Sequence, residues 1–425
     1  MAWIWLAAAA LTSPITYEAY SVRASTIIYT ITWVCAFVSG DLLGYALHRP
    51  LVTLNHRAIP KFWGGMCVAA FLSLLIYIGD LWLGGVVMFD REIFLASLRE
   101  NLSFGTQSKF ATICASVSLI GLGSFLAGIP ESVRGKGKAA IVMWLGLIAS
   151  AGLYMSRAGR QGLPIAIISC GVMFAALRQS GRLRDDMWRQ ARLFIASLAT
   201  LFTVYIWFNS ATRSTEGWLE NKIAYFERNN RATFHPRFTE MLRNQPALGS
   251  LPLEVYTYFT PQIYGLDFAL HEIQVQHTYG AVHLAPFVRR LTPLISDAWL
   301  MSRLDHYDGS FRANGLFANF FRTAVDSTFL EFGKIFGILF IFMCGLMAGR
   351  LRRLVITNWN PIDIAIQALV CSGAFMSNIY SAFFEIGWAY PFWFLLFIKL
   401  FFHMNKNYQI DSTRPSPAIR GIKPA

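Results

Sequence analysis

Charge is scarce in this sequence, and its scarcity excludes an ordinary soluble protein. Only 14% of the 425 residues are Asp, Glu, Lys or Arg, whereas 55% are hydrophobic. Apolar runs recur along the chain, and a run of about 20 apolar residues is long enough to cross the hydrocarbon core of a bilayer as a helix. The composition therefore predicts a polytopic, all-α membrane protein.

Several motifs of common chemistries are also missing. The six cysteines all fall within apolar runs and form no CxxC pair, which excludes a cysteine metal site and a disulfide framework. The chain has no Walker loop for ATP-driven transport, no HExxH pattern and no GxSxG elbow. Acidic residues within the apolar runs are few, so no chain of carboxylates indicates a proton relay.

The net charge of +13 does not point to a nucleic-acid partner, because the basic residues lie mainly in short segments between apolar runs. The positive-inside rule describes this distribution for cytoplasmic loops. Connecting segments on one side hold eighteen Lys and Arg, and the short connections on the other side hold six. The contrast predicts that both termini are cytoplasmic.

The apolar windows give ten candidate spans. They lie near 2–14, 26–47, 62–87, 107–129, 137–156, 160–178, 191–208, 329–349, 361–381 and 385–403. The first is short but lacks the basic n-region of a signal peptide, so we expect a retained first helix.

A hydrophilic segment of 120 residues, 209–328, separates the seventh span from the eighth on the outer side. It is too long for a passive connector. Its aromatic-rich stretch EVYTYFTPQIYGLDFALHEIQVQ predicts short helices lying at the interface or re-entering the membrane, rather than a separate soluble domain. The chain thus divides into a seven-span bundle at 1–208, this outer loop, a three-span region at 329–404 and a disordered cytoplasmic tail at 405–425.

The turn SRAGR places Arg157 and Arg160 between the fifth and sixth spans, also on the outer side. A guanidinium at the bilayer centre costs roughly 2.5–3.5 kcal/mol on insertion scales, so two of them at a membrane boundary need an explanation. Arginine matches phosphate oxygens bidentately, which favours a site for a diphosphate. The competing interpretation is that both side chains reach lipid headgroups.

The outer loop and the start of the eighth span add further polar groups in the stretches QHTYGAVHLAPFVRRLTP, SRLDHYDGSFRANG and NFFRTAVDSTFLEFGKIFG. The candidates for proton transfer with a sugar hydroxyl are His277, His306 and Glu331. The candidates for binding a diphosphate or a sugar are Arg157, Arg160, Arg289, Arg290, Arg303, Arg312, Arg322 and Tyr279. For any single loop arginine, a headgroup contact or a surface salt bridge remains an alternative.

These features resemble those of the Wzy-type oligosaccharide repeat-unit polymerases, the bacterial O-antigen or capsule polymerase class. That family has an SR…G turn opening an outer end of a span, a long outer loop before the last three spans, and a threonine-containing segment followed by DFGxxG. Here the last pattern reads Glu331-Phe332-Gly333 with Gly337, so glutamate replaces aspartate. An early SPIT also resembles the start of the family, and the architecture matches nearly end to end.

The resemblance implies a glycosyltransferase with a GT-C-like fold that needs no nucleotide sugar, no cofactor and no metal. Its substrates would be undecaprenyl-diphosphate-linked oligosaccharides at the periplasmic face of the bacterial inner membrane. The growing glycan would pass to the non-reducing sugar of a second, single repeat unit, and undecaprenyl diphosphate would leave. The family also implies a chain-length regulator of the Wzz type as a partner.

On this interpretation, Arg157 and then Arg160 meet the diphosphate, with help from the loop arginines. His277 is the first choice of base and His306 the second, because histidine exchanges protons near neutral pH. Glu331 either orients a partner or is itself the base.

Three alternatives stay open. An O-antigen ligase would have much the same fold and phosphate clamp but would transfer glycan to lipid A core. A transporter or flippase needs no catalytic loop, and the long outer segment and the lack of paired interrupted helices weigh against it. A structural or regulatory membrane partner would predict silent substitutions at the clustered arginines.

Overall fold

The computed structural model describes residues 12–17, 22–47, 60–83, 109–132, 138–156, 162–181, 183, 185–212, 218–230, 232–281, 298–313, 323–357, 360–377, 381 and 386–404. This part of the chain is almost entirely helical, which confirms the all-α class. In chain order its elements are β1 (Ile15–Tyr17), α1 (Ala24–Leu47), α2 (Pro60–Leu83), α3 (Lys109–Ser132), α4 (Lys138–Ser156), α5 (Gly162–Gln179), α6 (Asp185–Thr212), α7 (Trp218–Asn230), β2 (Ala232–Phe234), α8 (Pro236–Asn244), α9 (Pro246–Glu272), α10 (Ala298–Ala313), α11 (Ala324–Thr357), α12 (Pro361–Met376) and α13 (Ile386–Met404).

Five helices, α1, α2, α3, α5 and α11, are long and apolar enough to cross a membrane. Shorter apolar helices lie within α4, α12 and α13. A helix overlies each predicted span from the second to the tenth, whereas the first, near 2–14, falls mostly outside the described residues. The structure thus supports a helical membrane protein, and the count of ten spans stays a prediction.

Helices α1 and α11 form a parallel pair with closely approaching backbones. Each carries a GxxxG spacing, GDLLG on α1 and GLMAG on α11, and small residues of this kind let membrane helices pack tightly. A Cβ on Gly349 would lie 1.9 Å from the carbonyl oxygen of Asp41, and a Cβ on Gly44 would lie 2.0 Å from that of Leu346. Near the C-terminal ends, Arg352 Nη2 pairs with Asp41 Oδ2 at 2.6 Å.

Helices α2 to α5, α12 and α13 contribute to a second apolar core. Trp63 and Met173 are among its fully buried side chains. A Cβ on Gly121 of α3 would lie 2.5 Å from the carbonyl oxygen of Gly146 on α4, so the backbones of these two helices also approach closely at a pair of glycines. The hydroxyls of Ser169 and Ser372 share a hydrogen bond of 2.9 Å that joins α5 to α12.

The described part of the 209–328 segment packs directly on the membrane helices. The end of α9 and the helix α10 share one apolar cluster with the N-terminal ends of α1 and α11. The stretch predicted as short helices belongs instead, as far as Glu272, to the single 27-residue helix α9. Its two halves are buried against different neighbours: Leu253 packs with Ile15 and Phe234, whereas Leu266 and Ala269 pack in the cluster shared with the starts of α1 and α11.

A short antiparallel ribbon ties the N-terminal segment to this loop. Ile15 of β1 lies opposite Phe234 of β2. The same two side chains pack with Phe226 and Leu242 in a small core of their own. The ribbon therefore anchors the residues that precede α1 on the loop side of the molecule.

Candidate functional site at the break in α11

Helix α11 is broken at Gly333, where φ is 75° and ψ is −172°. This backbone region is essentially restricted to glycine, so the EFG sequence determines where the helix breaks. The segment before the break, 324–332, is largely buried, and Glu331 within it is 0% exposed. A helix break frees carbonyl groups on one side and N–H groups on the other to bind other partners.

The buried carboxylate of Glu331 holds the turn at 278–280 against this break. Its Oε2 accepts a hydrogen bond from Thr278 Oγ1 at 2.6 Å and one from the backbone N–H of Gly280 at 2.5 Å. The carbonyl oxygen of Glu331 also accepts the N–H of Tyr279 at 3.0 Å. Since a buried carboxylate needs such donors, the three bonds fix the turn and the carboxylate together.

His277 lies at the break with one ring nitrogen anchored. Its Nδ1 is 3.2 Å from the carbonyl oxygen of Leu330. A carbonyl oxygen only accepts hydrogen bonds, so Nδ1 carries the proton and Nε2 of the neutral ring keeps its lone pair. Nε2 faces Gly333, where a Cβ would lie only 3.0 Å away. The missing side chain of that glycine therefore leaves room beside a basic nitrogen.

Arg303 of α10 reaches the same turn. Its Nη1 donates a hydrogen bond to the carbonyl oxygen of His277. Its guanidinium carbon lies 4.4 Å from the ring centroid of Trp299 and 6.0 Å from that of Tyr279. Among the described residues no carboxylate forms an ion pair with Arg303. The cation is thus positioned by a carbonyl group and two aromatic rings, and no carboxylate within the described part of the chain neutralises its charge.

His306, the second choice of base, stands on α10 one turn after Arg303 and is exposed. Its Nε2 lies 3.3 Å from the carbonyl oxygen of Gln274. The structure therefore brings His277, Tyr279, Arg303 and Glu331 into one cluster, with His306 anchored to the segment that leads into it from α9.

The remaining predicted site residues are not placed by the structure. Arg157, Arg160, Arg289, Arg290 and Arg322 lie outside the described residues, as does the side chain of Arg312. Helix α4 ends at Ser156 and α5 begins at Gly162, on either side of the SRAGR turn. The roles of these arginines stay predictions.

Trp299 was not among the predicted site residues. The signal was present, because Trp299 precedes Arg303 by four residues, and positions four apart share one face of a helix. A tryptophan and an arginine in that relation are well placed for a cation–π contact.

The start of α11 also lies earlier than predicted, at Ala324 rather than near 329. Thr323 is the reason, because its Oγ1 accepts the N–H of Asp326 at 3.1 Å and so caps the helix. The carboxylate of Asp326 accepts a hydrogen bond from the hydroxyl of Tyr307 at 2.5 Å. These contacts hold α10, and with it Arg303, beside the buried segment of α11.

Asp267 docks the end of α9 onto the start of α1. Its Oδ1 accepts the N–H of Arg23 at 2.9 Å and the hydroxyl of Thr26 at 2.5 Å. A carboxylate here satisfies a free donor and complements the helix dipole. Arg23 also bonds to Glu272, and this hydrogen bond raises the pKa of the guanidinium. The chain then passes from this fixed end of α9 into the turn that carries His277.

An apolar groove of about 670 Å³ runs between the α1–α11 pair and the helices α12 and α13. Most of its lining is aliphatic or aromatic, with Ser377 and Ser381 at one end and Arg350 and Lys399 at the other. The serine end adjoins the first turn of α11, because the N–H of Ala324 donates to the carbonyl oxygen of Ser377 at 2.9 Å. The groove thus begins beside the buried segment 324–332 and extends toward the opposite face.

Within the described residues, no group of three His, Cys, Asp or Glu side chains is arranged to hold a metal ion. No family model, curated protein or solved structure matches the chain. Function is therefore inferred from the residues and their geometry.

Proposed function

We propose that this chain is a glycosyltransferase that polymerises undecaprenyl-diphosphate-linked oligosaccharide repeat units at the periplasmic face of the bacterial inner membrane. The growing glycan passes en bloc to a new lipid-linked repeat unit. The observation that carries the proposal is the cluster at the break in α11. There, among the residues that the structure describes, a histidine with a free lone pair, an arginine without a carboxylate partner and a buried glutamate meet at the end of an apolar helix pair.

Each group in the cluster has a task in this reaction. The acceptor hydroxyl gives its proton to Nε2 of His277 as its oxygen forms the new bond to C1 of the donor sugar. The bond between C1 and the diphosphate oxygen breaks, and the electron pair leaves with undecaprenyl diphosphate. Arg303 stabilises the developing negative charge, because its guanidinium fork fits phosphate oxygens.

Glu331 is a positioning residue in this proposal rather than the base. Its carboxylate is fully buried, and Oε2 already accepts two hydrogen bonds from the turn. A carboxylate used in this way lies behind the turn, away from an incoming hydroxyl. Its task is to hold His277 and Tyr279 in place against the helix break.

The groove and the helix break support a lipid-linked, anionic substrate. The groove has an apolar lining suited to a polyprenyl chain, and its serine end adjoins the buried segment of α11. The helix that resumes after Gly333 presents its N-terminal end at the break, and such an end favours an anionic group. Lys334, the first residue after the break, is exposed there.

Two further parts of the proposal come from the family resemblance. Arg157, and after it Arg160, complete the diphosphate clamp from the turn between α4 and α5. Membrane lipids surround the helices, and a Wzz-type protein regulates chain length.

Replacing Arg157 or Arg160 with alanine should abolish long polymer while the protein still accumulates in the membrane. Wild-type chain length in both variants would remove the clamp from the proposal.

The proposed reaction is tested genetically in the host strain that lacks this gene. Loss of a polymerase leaves single repeat units on the lipopolysaccharide, whereas loss of a ligase leaves polymer accumulated on undecaprenyl diphosphate. We expect the single-unit pattern, and restoration of long polymer by the wild-type gene. Accumulated lipid-linked polymer would instead assign the ligase reaction, and loss of outer-leaflet repeat units would assign a flippase.

A further inference from the structure

Tyr279 combines a disfavoured backbone conformation with an exposed ring. Its φ of 50° lies in the left-handed region, which residues with a large side chain seldom adopt. Its side chain is 72% exposed, so packing of the ring does not account for the conformation. The turn is instead imposed by the bonds from Thr278, Tyr279 and Gly280 to Glu331. Strained residues held by their surroundings concentrate at ligand-binding sites.

A residue better suited to this backbone is available, which makes the choice of tyrosine informative. Asparagine enters the left-handed region at little cost, because its short polar side chain bonds locally. A turn needed only for its shape would be served by such a residue. A tyrosine held there places an aromatic ring in solvent at a fixed position.

Trp299 provides a second exposed ring in the same cluster. It is 48% exposed, and the guanidinium of Arg303 lies within cation–π distance of both rings. Arg303 donates one N–H to the carbonyl oxygen of His277, which fixes its position. The surface therefore joins two rigid apolar rings to a cation that no carboxylate neutralises among the described residues.

We infer that Tyr279, Trp299 and Arg303 form a binding subsite for a sugar that carries a negative charge. The apolar C–H face of the sugar ring lies on the aromatic side chains, which offer a large contact area at low cost in conformational entropy. The anionic group pairs with the guanidinium, which suits both phosphate and carboxylate. The charge comes either from a 1-phosphate on the sugar or from an acidic sugar within the glycan.

This subsite rests on the proposed function, because it lies beside the nitrogen that would accept the proton. Its position next to His277 places the bound sugar at the reacting end of the substrate. The subsite nevertheless predicts binding without turnover, so it can be measured without any lipid-linked substrate.

The test is saturation-transfer NMR on the full-length protein in lipid nanodiscs prepared without a sugar-based detergent. The two probes are the repeat-unit oligosaccharide of the host, released from its lipid, and the same oligosaccharide bearing a 1-phosphate. We expect saturation of the ring protons of the 1-phosphate form. Equal saturation of both forms, reduced by Arg303→Gln, assigns the charge to an acidic sugar. No saturation of either form overturns the inference.

The decisive variants are Tyr279→Asn and Trp299→Ala, and both should lose the transferred saturation. The matched control is Trp188→Ala, since Arg192 on α6 lies 5.6 Å from that ring in the same four-residue spacing. Tyr279→Asn should also keep or raise the melting temperature, because the strain is relieved. Unchanged binding in Tyr279→Asn and Trp299→Ala, or a lowered melting temperature in Tyr279→Asn, contradicts the subsite.

These outcomes are separate from those of the proposed function. A protein that binds the glycan through Tyr279 and Trp299 but forms no polymer refutes the polymerase and keeps the subsite. A protein that polymerises normally in both ring variants refutes the subsite and keeps the polymerase.

Discussion

At the residue scale, the geometry of the site depends on the absence of a side chain at Gly333. Its positive φ breaks α11, and the absence of a Cβ leaves space beside Nε2 of His277. The carbonyl oxygen of Leu330 then fixes the tautomer that leaves this nitrogen basic. One glycine thus sets both the shape of the backbone and the access to the proposed base.

Gly333→Ala tests this double role. The new Cβ would be strained at φ 75° and would lie 3.0 Å from Nε2 of His277, so we expect a loss of polymerisation of tenfold or more and a destabilisation of about 1–3 kcal/mol. Polymer ladders and thermal unfolding measure the two effects. Gly309→Ala on α10, where a Cβ meets open space, is the control and should retain activity. Full activity of Gly333→Ala would show that the base lies elsewhere.

Glu331→Gln separates positioning from proton transfer. The amide keeps the size of the side chain but weakens the bonds to Thr278 and Gly280, so we expect about 1–3 kcal/mol of destabilisation and a lower kcat. The pH dependence of the remaining activity should keep its wild-type shape, because the proposed mechanism assigns the proton transfer to His277. A change in the acidic limb of the pH profile would instead make Glu331 the base.

The sequence predicts the members of this cluster better than their arrangement. His277, Tyr279, Arg303 and Glu331 were all identifiable as polar or aromatic groups near an outer membrane boundary. Their meeting depends on the chain returning from α9 to α11, a contact across some fifty residues that no local pattern encodes. Trp299 could not be predicted from the pattern of charged and proton-transferring residues, because its ring carries no charge.

At the element scale, the parallel pair of α1 and α11 supports the site. Both helices begin at the face where α9 and α10 pack, as the contacts of Trp33 with Thr328 and of Asp41 with Arg352 show. The helix positions follow from apolar runs in the sequence, which is why nine predicted spans each coincide with a helix. The sequence does not predict that α1 pairs with α11, because the two GxxxG spacings lie about three hundred residues apart.

Gly349→Ala tests the close packing of that pair. The added methyl would meet the carbonyl oxygen of Asp41 at 1.9 Å, so the helices must separate at a cost of about 1–3 kcal/mol. The matched substitution is Gly65→Ala on α2, where a Cβ meets nothing within 4 Å and helix propensity improves by up to about 1 kcal/mol. Thermal unfolding in the same detergent compares them. Equal melting temperatures for the two variants would argue against this helix interface.

At the scale of the whole molecule, the site and the groove join two different environments. The cluster at the break in α11 lies where loop helices pack on the membrane helices, and the groove extends from there between two helix groups. This arrangement suits a substrate with a charged glycan end and a long apolar tail. The sequence indicates such a division through its apolar spans and its outer loop, but the groove exists only once α11 packs beside α12.

Ala374→Phe tests whether the groove holds the lipid tail. The ring would fill part of the apolar space, so we expect a several-fold higher KM for the lipid-linked repeat unit. Binding of the lipid-free glycan at Tyr279 should not change. Ala199→Phe on the exposed face of α6 is the control and should leave the KM unchanged. An unchanged KM in Ala374→Phe would place the tail outside the groove.

The most direct measurement is the incubation of purified protein in nanodiscs with one defined undecaprenyl-diphosphate-linked repeat unit, followed by gel analysis of the products. We expect the wild type to produce a ladder of lengthening glycans and to release undecaprenyl diphosphate. His277→Ala should fold but leave only the starting band. A folded wild-type protein that forms no ladder, or a ladder that persists in His277→Ala, would contradict the assignment of polymerisation to this site.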